Sequence, residues 1–165
     1  MTAVRRAPAA ASRRHNECGA VAVEFALLLP VLMLIVFGII QFGVVMAQSA
    51  ALANGARTGA RDGVVNIVAG HDCKYVVTRT REAAQSISMT ASAVAVTVKR
   101  GPTEASATTV CSGEGAVGTL PCRTTSTADQ NLYVTTTFTS PAIVPIVGLG
   151  DFDLTGTGAY RCEYK

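Results

Sequence analysis

The stretch GAVAVEFALLLPVLMLIVFGIIQFGVVM, residues Gly19–Met46, decides the fold. No charged side chain stands between Glu24 and Arg57. An apolar run of more than about 18 residues is long enough to cross a bilayer as a helix. Phe25–Met46 would rise about 33 Å at 1.5 Å per residue, matching a hydrocarbon core of about 30 Å. Glu24 sits at the edge of this run, where a charge is costly without a partner. A cut after Gly19 would supply one, since the new amine of Ala20 would lie close to Glu24 in the chain. Upstream, Arg5, Arg6, Arg13 and Arg14 against Glu17 account for the whole formal surplus of +3, so the rest of the chain is balanced. The surplus therefore argues for membrane orientation, with residues 1–19 in the cytoplasm and the C-terminus outside, and not for nucleic-acid binding.

Gly19, four residues, then Glu24-Phe25 and a long apolar helix resembles the processing site of type IV pilin-like proteins. The continuation EFALLLP, the pairs Phe37-Gly38 and Phe42-Gly43, and Gly55-Ala56-Arg57-Thr58-Gly59-Ala60-Arg61 resemble the TadE-like pseudopilins of the tight-adherence (Flp-type) pilus system. The resemblance covers residues 13–63 closely and Thr155–Glu163 more loosely. Phe25 stands where Flp-type sites usually have Tyr, and Gln41 where relatives often carry an acid. The resemblance implies a minor pilin or pseudopilin, cut between Gly19 and Ala20 by a prepilin peptidase, with Glu24 as the assembly carboxylate meeting a neighbour's N-terminal amine. It implies further pilin or pseudopilin subunits and an inner-membrane assembly platform as partners, beside the lipid bilayer itself. The location implied is the bacterial cytoplasmic membrane. The rival reading is a signal-anchored extracytoplasmic binding module with no role in pilus assembly.

A secretory signal would place its apolar core before the cut and lose it, whereas here the apolar run follows the cut. Ala51-Leu52-Ala53 has the small-x-small form of a signal-peptidase site, but the run exceeds the roughly 7–15 residues of a signal core. Pro30 removes a backbone bond inside the helix and is either a simple kink or a flexible point for extraction from the bilayer. Gly43, Ala47, Ala51, Gly55, Gly59 and Gly63 recur every fourth residue. This row drifts by about 40° per step around the helix. It forms a winding groove of small residues that lets another backbone approach closely. The helix is expected to end near Asp62–Val64.

The organisation expected is a basic leader (1–19), a membrane and assembly helix (20–63) and an extracytoplasmic head (64–165). The fold class is α+β, with one helix of the head packed on an antiparallel sheet of about three strands. Asn66–Gly70 reads as a joint. Asp72 caps a helix running to about Ile87, with Cys73, Val76, Val77, Thr80, Ala83, Ala84 and Ile87 as its apolar stripe. Strands are expected over Thr90–Arg100, Leu132–Thr139 and Phe152–Tyr164, with a short one near Thr108–Val110. On the last, Phe152, Leu154, Tyr160, Cys162 and Tyr164 share the apolar face. Pro141–Leu149 is apolar and broken by two prolines, which makes it a poor strand.

Five cysteines are present. Cys18 lies in the leader, leaving Cys73, Cys111, Cys122 and Cys162, an even set that suggests two disulfides in an oxidising compartment. Of three possible connectivities, Cys111–Cys122 and Cys73–Cys162 are expected. The first closes a short Gly-rich loop, and the second joins the stripe of the second helix to the apolar face of the last strand. Catalytic chemistry is not expected. His15 is in the leader and His71 stands alone, without G-x-S-x-G, H-E-x-x-H or a phosphate-cradling loop. His71-Asp72-Cys73 offers too few ligands for zinc, and no cofactor is implied.

Overall fold

The computed structural model describes residues 17–65, 71–113, 119–123, 130–142 and 150–162, and the side chains from Gly19 onward. The leader up to residue 16, the expected joint Asn66–Gly70, most of Pro141–Leu149 and the end of the expected last strand (163–164) lie outside these residues. The chain divides into two compact units, Met1–Ile39 and Ile40–Lys165. The division falls inside the segment expected to act as one helical domain, 20–63.

The first unit is helical from Glu17 onward, as the beginning of α1 (Glu17–Val64). Every residue from Gly19 to Ile40 is exposed, Phe25, Leu27 and Ile39 by about two-thirds of their surface. Pro30 lies within the helix. A helix apolar on all sides with no protein covering it has the character of a membrane span. Gly19–Val64 is long and apolar enough to be one.

In the second unit the remainder of α1 becomes a core element. From Gln48 onward buried residues appear at helical spacing: Leu52, Ala56 and Ala60 on one line, with Gly55, Gly59 and Gly63 beside it, while Arg57 and Arg61 stay exposed. The second helix, α2 (Cys73–Ala83), begins as the sequence indicates, with Asp72 Oδ1 accepting from the Tyr75 backbone N–H at 2.9 Å. It ends one turn earlier than expected. Gln85-Ser86-Ile87-Ser88 is poor helix sequence, because serine competes for backbone hydrogen bonds and β-branched isoleucine loses rotamer freedom. Ser86 and Met89 instead close a tight turn through reciprocal backbone bonds of 3.3 and 3.0 Å, with Ser88 in the left-handed region at φ 59°. Ile87 is thrown outward, 64% exposed, and Met89 takes its place in the core.

A 3-10 turn at Ala91–Ala93 leads into the sheet. Its strands are β1 (Ala95–Gly101), β2 (Thr108–Ser112), β3 (Asn131–Ser140) and β4 (Phe152–Arg161). They lie in the order β2-β1-β3-β4, and every pairing is antiparallel. The stretch expected as a short strand near Thr108–Val110 is a full edge strand, which makes four strands. Alternation sets the inner face: Val96 and Val98 on β1, and Leu132, Val134 and Thr136 on β3, are buried. Burying a valine or leucine side chain in this way contributes about 1.5–3 kcal/mol.

The inner face of β4 departs from expectation. Its centre is not apolar side chain but Gly156 and Gly158, and Tyr160 is 43% exposed. A Cβ on Gly156 would lie 2.6 Å from Ala53 N and Leu52 O, and one on Gly158 would lie 2.5 Å from Ala56 O. The backbone of β4 therefore rests directly on the backbone of α1, which only glycine permits. Thr136 on β3 ties the same place, its buried hydroxyl lying 3.0 Å from Leu52 O and 3.3 Å from Gly156 O.

The disulfide pairing corrects the one expected. Cys73 is bonded to Cys111 (Cα–Cα 5.5 Å) and Cys122 to Cys162 (Cα–Cα 5.6 Å). The expected pairing placed the second helix over the last strand. The helix over β4 is α1, whereas α2 lies on β1 and β2. Cys111 pairs with Val98 across the ladder at that edge, under the start of α2. Cys162 leaves β4, three strands away, or about 14 Å at 4.8 Å per strand, beyond the roughly 7 Å between Cα atoms that a disulfide spans. Non-reducing peptide mapping of the purified chain is expected to yield Cys73–Cys111 and Cys122–Cys162 peptides. A Cys111–Cys122 or Cys73–Cys162 peptide would contradict this arrangement of helices on the sheet. Replacing Cys73 and Cys111 together by Ala is expected to cost about 2–5 kcal/mol of head stability.

Candidate assembly site

The residues singled out by sequence fall into two groups. Gly19, Ala20 and Glu24 lie on the exposed helix of the first unit. Among the described residues, a Cβ on Gly19 would meet nothing within 4 Å. Glu24 is exposed, and the only salt bridges among the described residues are elsewhere, from Arg79 to Asp62 (3.9 Å) and to Glu82 (3.0 Å). A carboxylate at the edge of an apolar helix is costly in a bilayer unless paired or turned to water.

The row of small residues lies on α1 in the second unit and is used unequally. A Cβ on Gly55 would lie 2.6 Å from the Ala84 Cβ and 2.8 Å from Thr80 O. One on Gly59 would overlap the Thr80 side chain, and one on Gly63 the Leu132 side chain. These three glycines seat α2 and β3 of the same chain. Gly43, by contrast, is exposed and a Cβ there would meet nothing. Ala47 and Ala51 are half-buried between the two regimes. The lower end of the row is thus a free groove and the upper end is occupied by the chain itself. The sequence pattern alone does not separate the two, because small residues serve either use equally well.

Sequence reasoning overlooked Gly156, Thr136 and Gln48. The signal for the first was present as Gly-Thr-Gly at Gly156–Gly158, two glycines at strand spacing on the face assigned to the core. Gln48 is 1% exposed, and its Nε2 donates to Ile87 O at 3.0 Å, fastening the Ser86–Met89 turn to α1. A lone glutamine at the end of an apolar run gives no hint of that partner.

No group of three or more His, Cys, Asp and Glu side chains among the described residues could hold a metal ion. His71 stacks on Tyr75 with ring centroids 4.4 Å apart, and Cys73 beside it is consumed by its disulfide. A cavity of about 440 Å³ at one end of the sheet is lined by Ala93, Ala95, Thr137, Phe138, Leu154 and Thr155, with Thr139 Oγ1 donating to Asp153 Oδ1 at 2.8 Å beside them.

Among known proteins, the family described as TadE-like protein matches residues 19–61. The match covers α1 from the glycine at the expected cut to the last exposed arginine and leaves the rest of the head unmatched. No curated protein and no solved structure matches the chain.

The division of the glycine row has a measurable consequence. Gly59→Ala and Gly158→Ala are each expected to lower head stability by about 1–3 kcal/mol, because each overpacks a closed contact. Gly43→Ala is expected to leave it unchanged. Denaturant unfolding of the detergent-solubilised chain checks this, and equal effects at all three positions would contradict the division.

Proposed function

We propose that this chain is a pilin-like structural subunit, a minor pilin or pseudopilin, of a tight-adherence pilus assembly system. The observation that carries the reading is the TadE-like match over residues 19–61, which begins at Gly19 and falls on a helix that is apolar and exposed over Gly19–Ile40. In this reading a prepilin peptidase removes residues 1–19, the head lies outside the cytoplasmic membrane, and α1 holds the subunit in the bilayer until it meets other subunits and the assembly platform. The two disulfides support an oxidising compartment for the head.

The mechanism asks for no bond chemistry from this chain beyond being cut. Gly19 has no side chain to obstruct the peptidase. The cut would discard the four leader arginines with Glu17 and create an ammonium on Ala20. Glu24 becomes the fifth residue of the processed chain. Its carboxylate and a neighbour's ammonium would attract each other more strongly in an apolar setting than in water. Left alone there, a carboxylate is strongly disfavoured. The pair would therefore favour association of subunits without any new apolar contact. Gly43 offers an open groove at which a neighbouring helix would approach closely.

The rival reading, a signal-anchored binding module, shares the span and the head but requires neither the cut nor Glu24. N-terminal sequencing and intact mass of the protein from native membranes separate the two. The mature chain is expected to begin at Ala20. A chain beginning at Met1 or Asn54 would overturn the proposal. Glu24→Gln and Glu24→Ala are both expected to insert and be cut normally but to lose co-purification with partner subunits. Undiminished co-purification and piliation in both variants would remove Glu24 from the mechanism.

A further inference from the structure

The Ser86–Met89 turn has a position that neither its own sequence nor the family resemblance explains. Ile87 at its tip is 64% exposed, whereas the neighbouring Met89 is buried. The Gln48 amide bond to Ile87 O fixes the turn at the level of Gln48 on α1. Of the two ends of the Gln48 carboxamide, only the NH2 can donate to a carbonyl, which sets the orientation of that amide. Met46, 54% exposed, and Phe42, 67% exposed, are the last exposed large apolar residues of the helix below that level. Gln48 lies two residues past Met46, about 3 Å along the axis. Beyond the hydrocarbon core a bilayer has an interfacial layer of about 5–7 Å on each side. If the apolar run ends at Met46, Ile87 stands in that layer.

The surroundings agree. Residues 83–98 contain no Asp, Glu, Lys, Arg or His. Along α1, Leu132 of β3 lies beside Gly63 and Thr136 beside Leu52, so β3 runs back toward the N-terminal side of the helix. Ser140-Pro141-Ala142 and Gly150-Asp151-Phe152 therefore come to the same end of the head as the turn. Lys99, Arg100 and Arg161 belong to the opposite end of the strands. Among the described residues the charges toward the near end are Asp151, Asp153, which accepts from Thr139 Oγ1 at 2.8 Å, and Arg81, whose Nε donates to Val94 O at 3.1 Å. An exposed isoleucine flanked by small uncharged residues is suited to the apolar part of an interface.

We infer that the Ser86–Met89 turn is a second membrane contact, in which Ile87 inserts at the headgroup–acyl boundary. The inference rests on α1 being the membrane span, and the lipid, not another subunit, is the occupant. The contact is apolar and indifferent to lipid charge.

The chain contains no tryptophan, so single-tryptophan variants of the full chain report one site each. Ile87→Trp, reconstituted in phosphatidylcholine vesicles, is expected to lose about half its fluorescence to lipids brominated near the headgroup and little to lipids brominated at the chain ends, as for a side chain at the headgroup–acyl boundary. Adding phosphatidylglycerol should leave this unchanged. Phe42→Trp reports the span independently, and Lys99→Trp, at the far end of the sheet, should stay unquenched. Thr90→Trp, also exposed and three residues on, carries the same expectation as Ile87→Trp should that variant fail to fold. Quenching of Phe42→Trp with none at positions 87 and 90 would overturn the inference and leave the span intact. No quenching at Phe42→Trp either would overturn both. Shielding of position 87 only after a second protein is added would assign the turn to a protein contact and overturn the lipid assignment.

Discussion

The close approach of two backbones, α1 at Leu52–Arg57 and β4 at Gly156–Gly158, is the constraint from which the head follows. A side chain at either glycine would press on helix backbone, which has nowhere to move. Thr136 adds a buried hydroxyl between the helix and β4, close to the carbonyls of Leu52 and Gly156. Such a hydroxyl is worth about 0.5–1.5 kcal/mol when paired and costs as much or more when orphaned. With α1 fixed over β4, the space over β1 and β2 remains for α2. Gly55 and Gly59 then let α2 press against α1 as closely as β4 does. The disulfides follow: Cys73 finds Cys111 under α2, and Cys162 is left for Cys122 beyond the end of β4.

One helix therefore does two jobs that are physically continuous. Its apolar beginning seeks a bilayer or other helices, and its later turns are core. Leu52, Ala56 and Ala60 are fully buried, and none can be lifted out without opening the sheet face. The open Gly43 and the occupied Gly55, Gly59 and Gly63 mark where the helix changes from one task to the other.

Much of this was legible from residues whose chemistry is local. The apolar run, the end of α1 at Val64, the Asp72 cap, the alternation of Val94, Val96 and Val98, and the strands around Leu132 and Phe152 all express periodicity or capping. What was not legible depended on which element lies over which. The Cys73–Cys162 expectation failed because it seated α2 on the last strand and gave α1 no part in the head. The clue was a pair of glycines where an apolar pair was expected, and a missing side chain gives no hydrophobic signal. Ile87 fits the apolar stripe by spacing, yet the serines on either side favour a turn over another helical turn. The roles proposed for Gly19, Ala20 and Glu24 came from resemblance, since the exposed Glu24 carboxylate has no ion-pair partner among the described residues to reveal a use.

The account depends most on α1 being an integral part of the head from Gln48 to Gly63. Amide hydrogen exchange on the full chain in lipid measures this directly. Amides from Leu52 to Ala60 are expected to be protected to the same degree as those of β3 from Leu132 to Thr136, and to lose protection together with them as denaturant is added. Exchange at Leu52–Ala60 that proceeds while β3 remains protected would contradict the account, because it would make the helix a tether beside the head and not its core.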